Sequence, residues 1–325
     1  MFAMIWLWIG FILLVLTALS IDLGVFNRRP HAPSFREAVG WACVWISLAL
    51  VFNVAIYFMY EAHWVGLGLN ESYPLNGRQA ALQFLTGYLV EESLSLDNLF
   101  VIAIIFLHFR IPVMYQYRVL YWGIMGAMIL RGIMIGAGWV LILKFTWITY
   151  VFGAMLLATA VKLMISRESE YDPDKNLLIR IARRLFTVTN ILHGEHFFIR
   201  ESGRFAATPL FIVLLAVESA DVIFAVDSIP AIFAITQDPF LVFTSNIFAI
   251  LGLRSIYFAL AGLFDRFHYL KMSLVFVLAF VGVKMLLAHY HKIPAGYSLA
   301  VIAGILSVGV IASIIRHNRL KGAEE

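Results

Sequence analysis

The sequence predicts an all-α, polytopic membrane protein with about nine transmembrane helices. Of its 325 residues, 62% are hydrophobic and only 14% are charged, and the mean hydropathy is +0.88. Soluble domains carry about 25% charged residues, so this composition excludes an ordinary soluble protein. Two further observations refine the prediction: carboxylates interrupt the apolar segments, and the segments repeat in groups of three.

A window of about 19 residues, close to the length of helix that crosses a bilayer, locates the candidate spans in order. They cover residues 3–26, 40–60, 79–108, 119–143, 145–165, 207–236, 240–262, 270–290 and 296–315. The third and sixth are long and carry carboxylates, so broken or re-entrant helices are plausible there. The polar segment 166–206 predicts a cytoplasmic loop with a short helix at about 175–186. The whole chain, 1–325, is then a single membrane domain.

The distribution of Lys and Arg predicts the orientation. Seventeen of these residues lie in the odd-numbered loops and the C-terminal tail, against three in the even-numbered loops. Because positive residues concentrate on the cytoplasmic side, we expect the N-terminus outside and the C-terminus in the cytoplasm. The N-terminal segment lacks a basic region and a small-residue cleavage site, so it predicts a retained first span rather than a signal peptide.

Charged residues inside the spans indicate an internal repeat. The matching positions, at offsets of 124, 123 and 122, are Asp97 with Asp221, Arg131 with Arg254, and Lys162 with Lys284. Each unit holds three spans, so its copies must face opposite ways across the membrane. The sequence therefore predicts that residues 79–165 and 207–290 form an inverted 3+3 repeat. Transporters with such repeats bind their substrates near the midplane.

The embedded carboxylates are the main functional signal. They form two clusters: Glu91, Glu92 and Asp97, then Glu218, Asp221 and Asp227. A charge at the bilayer centre costs about 2.5–3.5 kcal/mol even on insertion scales, so such residues mark ion paths. With the four embedded bases, the six acids sum to a formal charge of −2, which a divalent cation would neutralise.

Oxygen ligands dominate these clusters. Asn98 adds a neutral oxygen, and Asp22, near the cytoplasmic end of the first span, could add a carboxylate. Such hard ligands suit Mn²⁺, Mg²⁺ or Ca²⁺ and leave the choice among them open, whereas Zn²⁺ and copper are disfavoured. We expect the four bases, Arg131, Lys162, Arg254 and Lys284, to be counterions and gating partners, because a positive ligand would repel a metal. Alternatively, acids and bases form purely structural ion pairs.

Other motifs limit the classes of function. P-loop, dinucleotide-binding and nucleophile-elbow motifs are missing, so we expect neither an enzyme nor a permanently bound cofactor. The expected partners are a divalent cation and the lipid bilayer, with no nucleic acid. The single cysteine, Cys43, excludes a disulfide within the chain. Gly132 and Gly136 form a G-x-x-x-G motif, which is typical of close helix packing.

Several long motifs closely resemble the TerC family, above all its Alx-like branch. They read I-D-L-G-V-F, Y-L-V-E-E-S-L-S-L-D-N-L-F-V, V-E-S-A-D-V-I-F-A-V-D-S-I-P-A-I-F-A-I-T and S-N-I-F-A-I-L-G-L-R. The resemblance covers nearly the whole chain and implies a bacterial inner-membrane protein linked to manganese export. It implies that the acidic positions of the family are Asp22, Glu91, Asp97, Glu218, Asp221 and Asp227. Similar proteins often carry Lys at position 92, so Glu92 is not expected to be an essential ligand.

The leading hypothesis is therefore an exporter of a divalent metal cation, most simply Mn²⁺. The ion would bind at a midplane carboxylate site, and the two repeats would rock to alternate its access. The alternative is a membrane-bound redox modulator that acts with a partner, since the chain has one cysteine and no facing midplane histidine pair. A passive cation channel is a third reading. The direction of transport rests on the resemblance, and the coupling ion and oligomeric state stay open.

Overall fold

The computed structural model is a bundle of long α-helices with one small sheet. It describes residues 2–21, 33–69, 74–145, 147–165, 177–189, 191–201, 204–260, 269–287, 290 and 293–324. The helices are α1 (Phe2–Ile21), α2 (Phe35–Glu61), α3 (Gly77–His108), α4 (Val113–Lys144), α5 (Ile148–Ile165), α6 (Leu177–Leu185), α7 (Pro209–Phe233), α8 (Pro239–Leu260), α9 (Leu270–Leu287) and α10 (Ala295–Glu324). The strands are β1 (Thr187–Val188), β2 (Phe198–Glu201) and β3 (Arg204–Ala207).

Seven of the described helices are long and apolar enough to cross a membrane: α1, α2, α4, α5, α7, α8 and α10. Helix α3, which carries the first acidic cluster, is not among these seven. Helix α9 contributes a shorter apolar stretch, Met272–Leu287. The prediction of an all-α, polytopic membrane protein is therefore confirmed, while the count of nine crossings stays a prediction.

Both acid-bearing helices are continuous, so the breaks considered from the sequence are not found in them. A capping box starts α3: the Asn76 side chain accepts from the amide of Gln79 (2.8 Å), and the Gln79 side chain accepts from the amide of Asn76 (3.2 Å). Helix α7 continues through Pro230 and ends at Phe233. The proline lies in the last turn, where the loss of one backbone hydrogen bond does not interrupt the helix that carries the acids.

Helix α8 forms the centre of the bundle. In its apolar stretch, 83% of the residues are buried, against 17–44% in the other candidate spans. It packs against α2, α3 and α4, and α3 in turn packs against α7. Buried polar residues of α3, α4 and α7, among them Glu91, Arg131 and Ser219, therefore lie in the interior of the bundle.

Helices that the predicted repeat treats as equivalent pack against each other: α3 with α7, α4 with α8, and α5 with α9. The repeat also relates the contact of α3 with α8 to the contact of α7 with α4, and both contacts are present. Helices α5 and α9 also pack closely, since a methyl group on Gly153 would contact Leu286 and one on Gly282 would contact Leu157. Gly153 thus lies opposite Leu286 and Leu157 lies opposite Gly282, so α5 and α9 run antiparallel. The inverted repeat itself stays a prediction.

The segment between α5 and α7 contains the predicted short helix, α6, and a sheet that the sequence did not predict. The strand order is β1-β3-β2, with β1 parallel and β2 antiparallel to β3. Strands of two to four residues are too short to give a clear alternating pattern. The Arg118 side chain of α4 anchors this unit through an ion pair with Glu195 (2.5 Å).

Asp238 begins α8 as its N-terminal cap. Its Oδ1 atom accepts hydrogen bonds from the amides of Phe240 (2.9 Å) and Leu241 (3.3 Å). Burial raises the pKa of Asp238, and hydrogen bonds from the Tyr60 side chain and these amides oppose the rise. The side chain is thus a buried cap of the most buried helix.

We expect Asp238→Ala to lower the free energy of unfolding by about 1 kcal/mol, because two amides at the start of α8 lose their acceptor. Asp238→Asn keeps an acceptor oxygen at the same position and should stay close to the wild type. Thermal unfolding of the purified protein in detergent measures both. Equal destabilisation by the two substitutions would contradict the capping role.

Candidate functional site

A buried guanidinium lies at the centre of the acid-bearing helices. Arg131 of α4 is 1% exposed and is the largest fully buried side chain among the described residues. It donates to both carboxylate oxygens of Asp221 on α7, at 2.6 and 3.1 Å. It also donates to Glu91 on α3 and to Asn246 on α8 (3.2 Å). One side chain therefore joins three other helices through charge-assisted hydrogen bonds.

Two small cavities flank this network. The first, here named the Glu218 cavity, is about 20 Å³ and is lined by Asn98, Glu218 and Asp221 together with apolar side chains. That volume holds about one water molecule. Gly126 of α4 leaves space for the Glu218 carboxylate, because a methyl group on Gly126 would overlap that carboxylate. Glu218 and Asp221, one helical turn apart, thus share a face, as their spacing predicts.

The second cavity, named the Asp227 cavity, is about 60 Å³, and its polar lining consists of Glu91, Asn98, Thr159, Asp227 and Ser228. The Thr159 hydroxyl of α5 donates to Asp227 (2.9 Å). Asn98 lines both cavities and is therefore their shared wall. Asp227 opens to a different cavity from Asp221, in agreement with their separation around a regular helix.

The polar walls of these cavities have more acceptors than donors. Four buried oxygen atoms have no hydrogen-bond donor among the described residues: Glu91 Oε2, Asn98 Oδ1, Glu218 Oε2 and Ser228 Oγ. A buried acceptor without a partner costs about 1–3 kcal/mol, so such atoms are rare unless a water or an ion completes them. Together with the carboxylates, they place oxygen ligands of the kind that a hard cation takes on cavity walls that are otherwise mostly apolar.

The remaining predicted site residues are placed as follows. Arg254 is buried on α8, and its guanidinium stacks over the Tyr117 ring at 4.3 Å from the centroid. Lys284 is buried on α9, whereas Lys162 is exposed on α5. Asp22 lies outside the described residues.

Asp97 lies on α3, but its side chain is outside the described part of the chain. The described side chains do not by themselves form a ready metal centre, because they include no group of three or more His, Cys, Asp and Glu residues arranged around one point. What they form is a pair of oxygen-lined cavities with an arginine between the acids.

Sequence reasoning missed two residues of this site. Asn246 accepts a hydrogen bond from Arg131, and Thr159 donates one to Asp227. Asn246 lies within the motif S-N-I-F-A-I-L-G-L-R, so its place in that motif was an available signal. Thr159 carries no such signal, because a threonine in an apolar helix usually bonds its own backbone.

A third cavity is larger and mostly apolar. This Trp139 cavity, of about 620 Å³, is lined by α1, α4, α8 and the turn after α2, with Trp8 and Trp139 in its walls. Gly132 and Gly136 both line it, and a methyl group on Gly136 would contact nothing within 4 Å. The G-x-x-x-G motif therefore borders a cavity here, and the close helix packing expected at Gly136 is not found.

Comparison with known proteins places this architecture in one family. The family model described as the integral membrane protein TerC family matches residues 76–321. The matched region begins at the cap of α3 and contains both acidic clusters and Arg131.

Curated relatives cover almost the whole chain. An "Uncharacterized membrane protein STKORF319" of Myxococcus xanthus is 50% identical over 310 residues, 95% of this chain and 92% of that protein. A "Putative membrane-bound redox modulator Alx" of Salmonella typhi is 47% identical, covering 97% of this chain and 96% of its own. The protein of the same name in Escherichia coli K12 is 46% identical, covering 97% of each chain. No solved structure matches the chain.

Proposed function

This chain belongs to the integral membrane protein TerC family, and we propose that it exports a divalent metal cation, Mn²⁺, across the bacterial inner membrane. One observation carries the proposal. Two cavities that share Asn98 are lined by carboxylates and by buried oxygen atoms without donors among the described residues. Hard cations such as Mn²⁺ take ligands of this type. The choice of Mn²⁺ over Mg²⁺ or Ca²⁺ rests on the family resemblance.

In the proposed architecture, α1–α5 and α7–α10 all cross the membrane, with the N-terminus outside and the C-terminus in the cytoplasm. The units 79–165 and 207–290 are inverted repeats that rock against each other. The paired contacts of α3 with α7, α4 with α8 and α5 with α9 support this arrangement. Both cavities lie among helices of the two units, which is where transporters of this type bind their substrates.

The proposed ligands are Glu91, Asn98, Glu218, Asp221 and Asp227, with Asp97 and Asp22 as further carboxylates. The first five line two cavities rather than one point, so the ion would contact them in succession as it passes. Weak, sequential sites allow an ion to enter and also to leave. The bases Arg131, Lys162, Arg254 and Lys284 balance the acid charges between ions.

We expect the wild type to drive Mn²⁺ efflux from metal-loaded cells that lack their own exporters. Asp97→Asn, Asp221→Asn and Glu218→Gln should each lower the efflux rate by at least about tenfold, because loss of a metal-site residue costs at least that much affinity. Efflux of Mn²⁺, Mg²⁺ and Ca²⁺ after equal loading measures both the activity and the choice of ion.

Glu92→Gln is the matched control. Glu92 follows Glu91 on α3 and its carboxylate oxygens are also buried, but it lines neither acid cavity and faces Gly252 of α8. This variant should export at the wild-type rate. Normal efflux by the other three variants at equal expression would refute the carboxylate site.

Gly126→Ala tests the Glu218 cavity without removing any polar group. The added methyl group must displace the flexible Glu218 carboxylate, while alanine improves helix propensity by about 1 kcal/mol. We expect efflux to fall at least about tenfold, as for loss of a ligand, with thermal stability unchanged or higher. Gly304→Ala on α10 adds a methyl that meets nothing within 4 Å and should not change efflux. Equal efflux by both variants would contradict a role for Glu218.

A second candidate function is a membrane redox modulator that acts with a partner. The relatives named Alx favour it, and the Trp139 cavity is large and apolar enough for the headgroup of a lipophilic redox carrier. The chain itself supplies only Cys43, which is exposed on α2 and cannot form a disulfide within the chain. A redox function would therefore need a bound carrier.

If this second function holds, protein purified from membranes should carry a stoichiometric quinone, measured by solvent extraction and chromatography. Gly136→Leu fills the cavity and should remove the quinone, whereas Gly304→Leu should not. Purified wild type without quinone, or quinone retained by Gly136→Leu, counts against the redox function.

A further inference from the structure

The Arg131 guanidinium binds the same carboxylates that the proposed ion would need. Its hydrogen bonds to Asp221 use both oxygen atoms of that carboxylate, and a further bond uses Oε1 of Glu91. We propose that Arg131 is a built-in cation that occupies these carboxylates while the ion site is empty, and that a divalent cation must displace it to bind. This inference rests on the proposed function and adds to it which cation holds the carboxylates when no metal is bound.

The contacts of Arg131 with one carboxylate of each cavity support displacement. Asp221 lines the Glu218 cavity and Glu91 lines the Asp227 cavity, while Arg131 bonds to both. An ion that uses Asp221 in one cavity and Glu91 in the other needs the two carboxylates that the guanidinium holds. Metal–oxygen bonds of about 2.0–2.6 Å need the oxygen lone pairs that now accept from Arg131. The two cations therefore compete for the same atoms.

The charges of the cluster permit the exchange. Arg131, Glu91 and Asp221 carry a formal charge of −1 together, so the site still attracts a cation when Arg131 holds it. A divalent ion bound by the same two carboxylates neutralises them fully and repels the guanidinium, and the three groups and the ion then sum to +1. Asn98 Oδ1 and the second oxygen of Glu91, which have no donor among the described residues, are additional ligands that Arg131 does not use.

A purely structural ion pair makes a different prediction. If Arg131 only ties the helices together, its loss leaves two buried carboxylates unpaired, and the protein is destabilised whether or not metal is present. If Arg131 is a displaceable cation, added metal takes its place and restores the lost stability. The response of stability to metal therefore separates the two roles.

The experiment compares the wild type with Arg131→Gln in detergent or nanodiscs. Without metal, the variant should unfold at a lower temperature than the wild type. With Mn²⁺, its midpoint should rise much more than that of the wild type, because a ligand that binds only the folded state stabilises it. Direct titration should show a higher Mn²⁺ affinity for the variant than for the wild type. If Arg131 of the wild type leaves its carboxylates in less than about one tenth of the molecules, the increase should exceed about tenfold.

Arg118→Gln is the matched control. It makes the same substitution on the same helix and breaks another Arg–Glu pair, with Glu195. Its distance along α4 from Arg131 is about 20 Å, since 13 residues each rise about 1.5 Å. Mn²⁺ should not restore its stability beyond the effect seen in the wild type.

Arg131→Lys covers the case in which Arg131→Gln does not fold. Lysine keeps the charge but loses the forked donor geometry, so it should compete less well and raise Mn²⁺ affinity by a smaller factor. Unchanged or weaker Mn²⁺ binding in the folded variant overturns the proposal. Export is scored separately: absence of Mn²⁺ efflux by the wild type refutes the proposed function, whereas tighter Mn²⁺ binding by the Arg131 variant still supports displacement.

Discussion

One buried guanidinium joins four helices of this protein. Arg131 on α4 binds carboxylates on α3 and α7 and the Asn246 amide oxygen on α8. A charge in a low-dielectric interior is tolerated only when it is paired and hydrogen-bonded, so these helices must meet where they do. Removal of the arginine or of its carboxylate partners leaves the remaining charge uncompensated. The packing of the bundle centre and the geometry of the acids therefore depend on the same contact.

The hydrogen bonds of Arg131 do not satisfy all the buried polar atoms around it. After Arg131 has made its bonds, buried oxygen atoms of Glu91, Asn98, Glu218 and Ser228 still have no donor among the described residues. A site selected only for stability would match donors to acceptors, because each unmatched acceptor costs free energy. Asn246, which accepts from Arg131, also has an Nδ2 donor without a partner among the described residues, but the unpaired atoms that line the two cavities are all oxygens. Such oxygens are the ligands that the proposed ion would take.

The sequence predicted the membrane class and the helices that carry the acids, because hydropathy and embedded charge are local properties. It did not predict which acids Arg131 would bind, nor the contacts of Asn246 and Thr159, because tertiary packing decides these pairings. The open side of Gly136 was missed for the same reason, and the small sheet because its strands are too short to show an alternating pattern.

The pairing of Arg131 with Asp221 has a consequence for movement. Arg131 and Glu91 belong to the first proposed repeat, whereas Asp221 belongs to the second, so the bond to Asp221 joins the two units that the proposed mechanism moves against each other. In that mechanism, rocking that separates α4 from α7 would break the bond to Asp221 but not the bond to Glu91. A cation that takes Asp221 from Arg131 removes the same restraint. Ion binding and repeat movement thus draw on one carboxylate, and a ligand that binds one arrangement better must shift the equilibrium between the two.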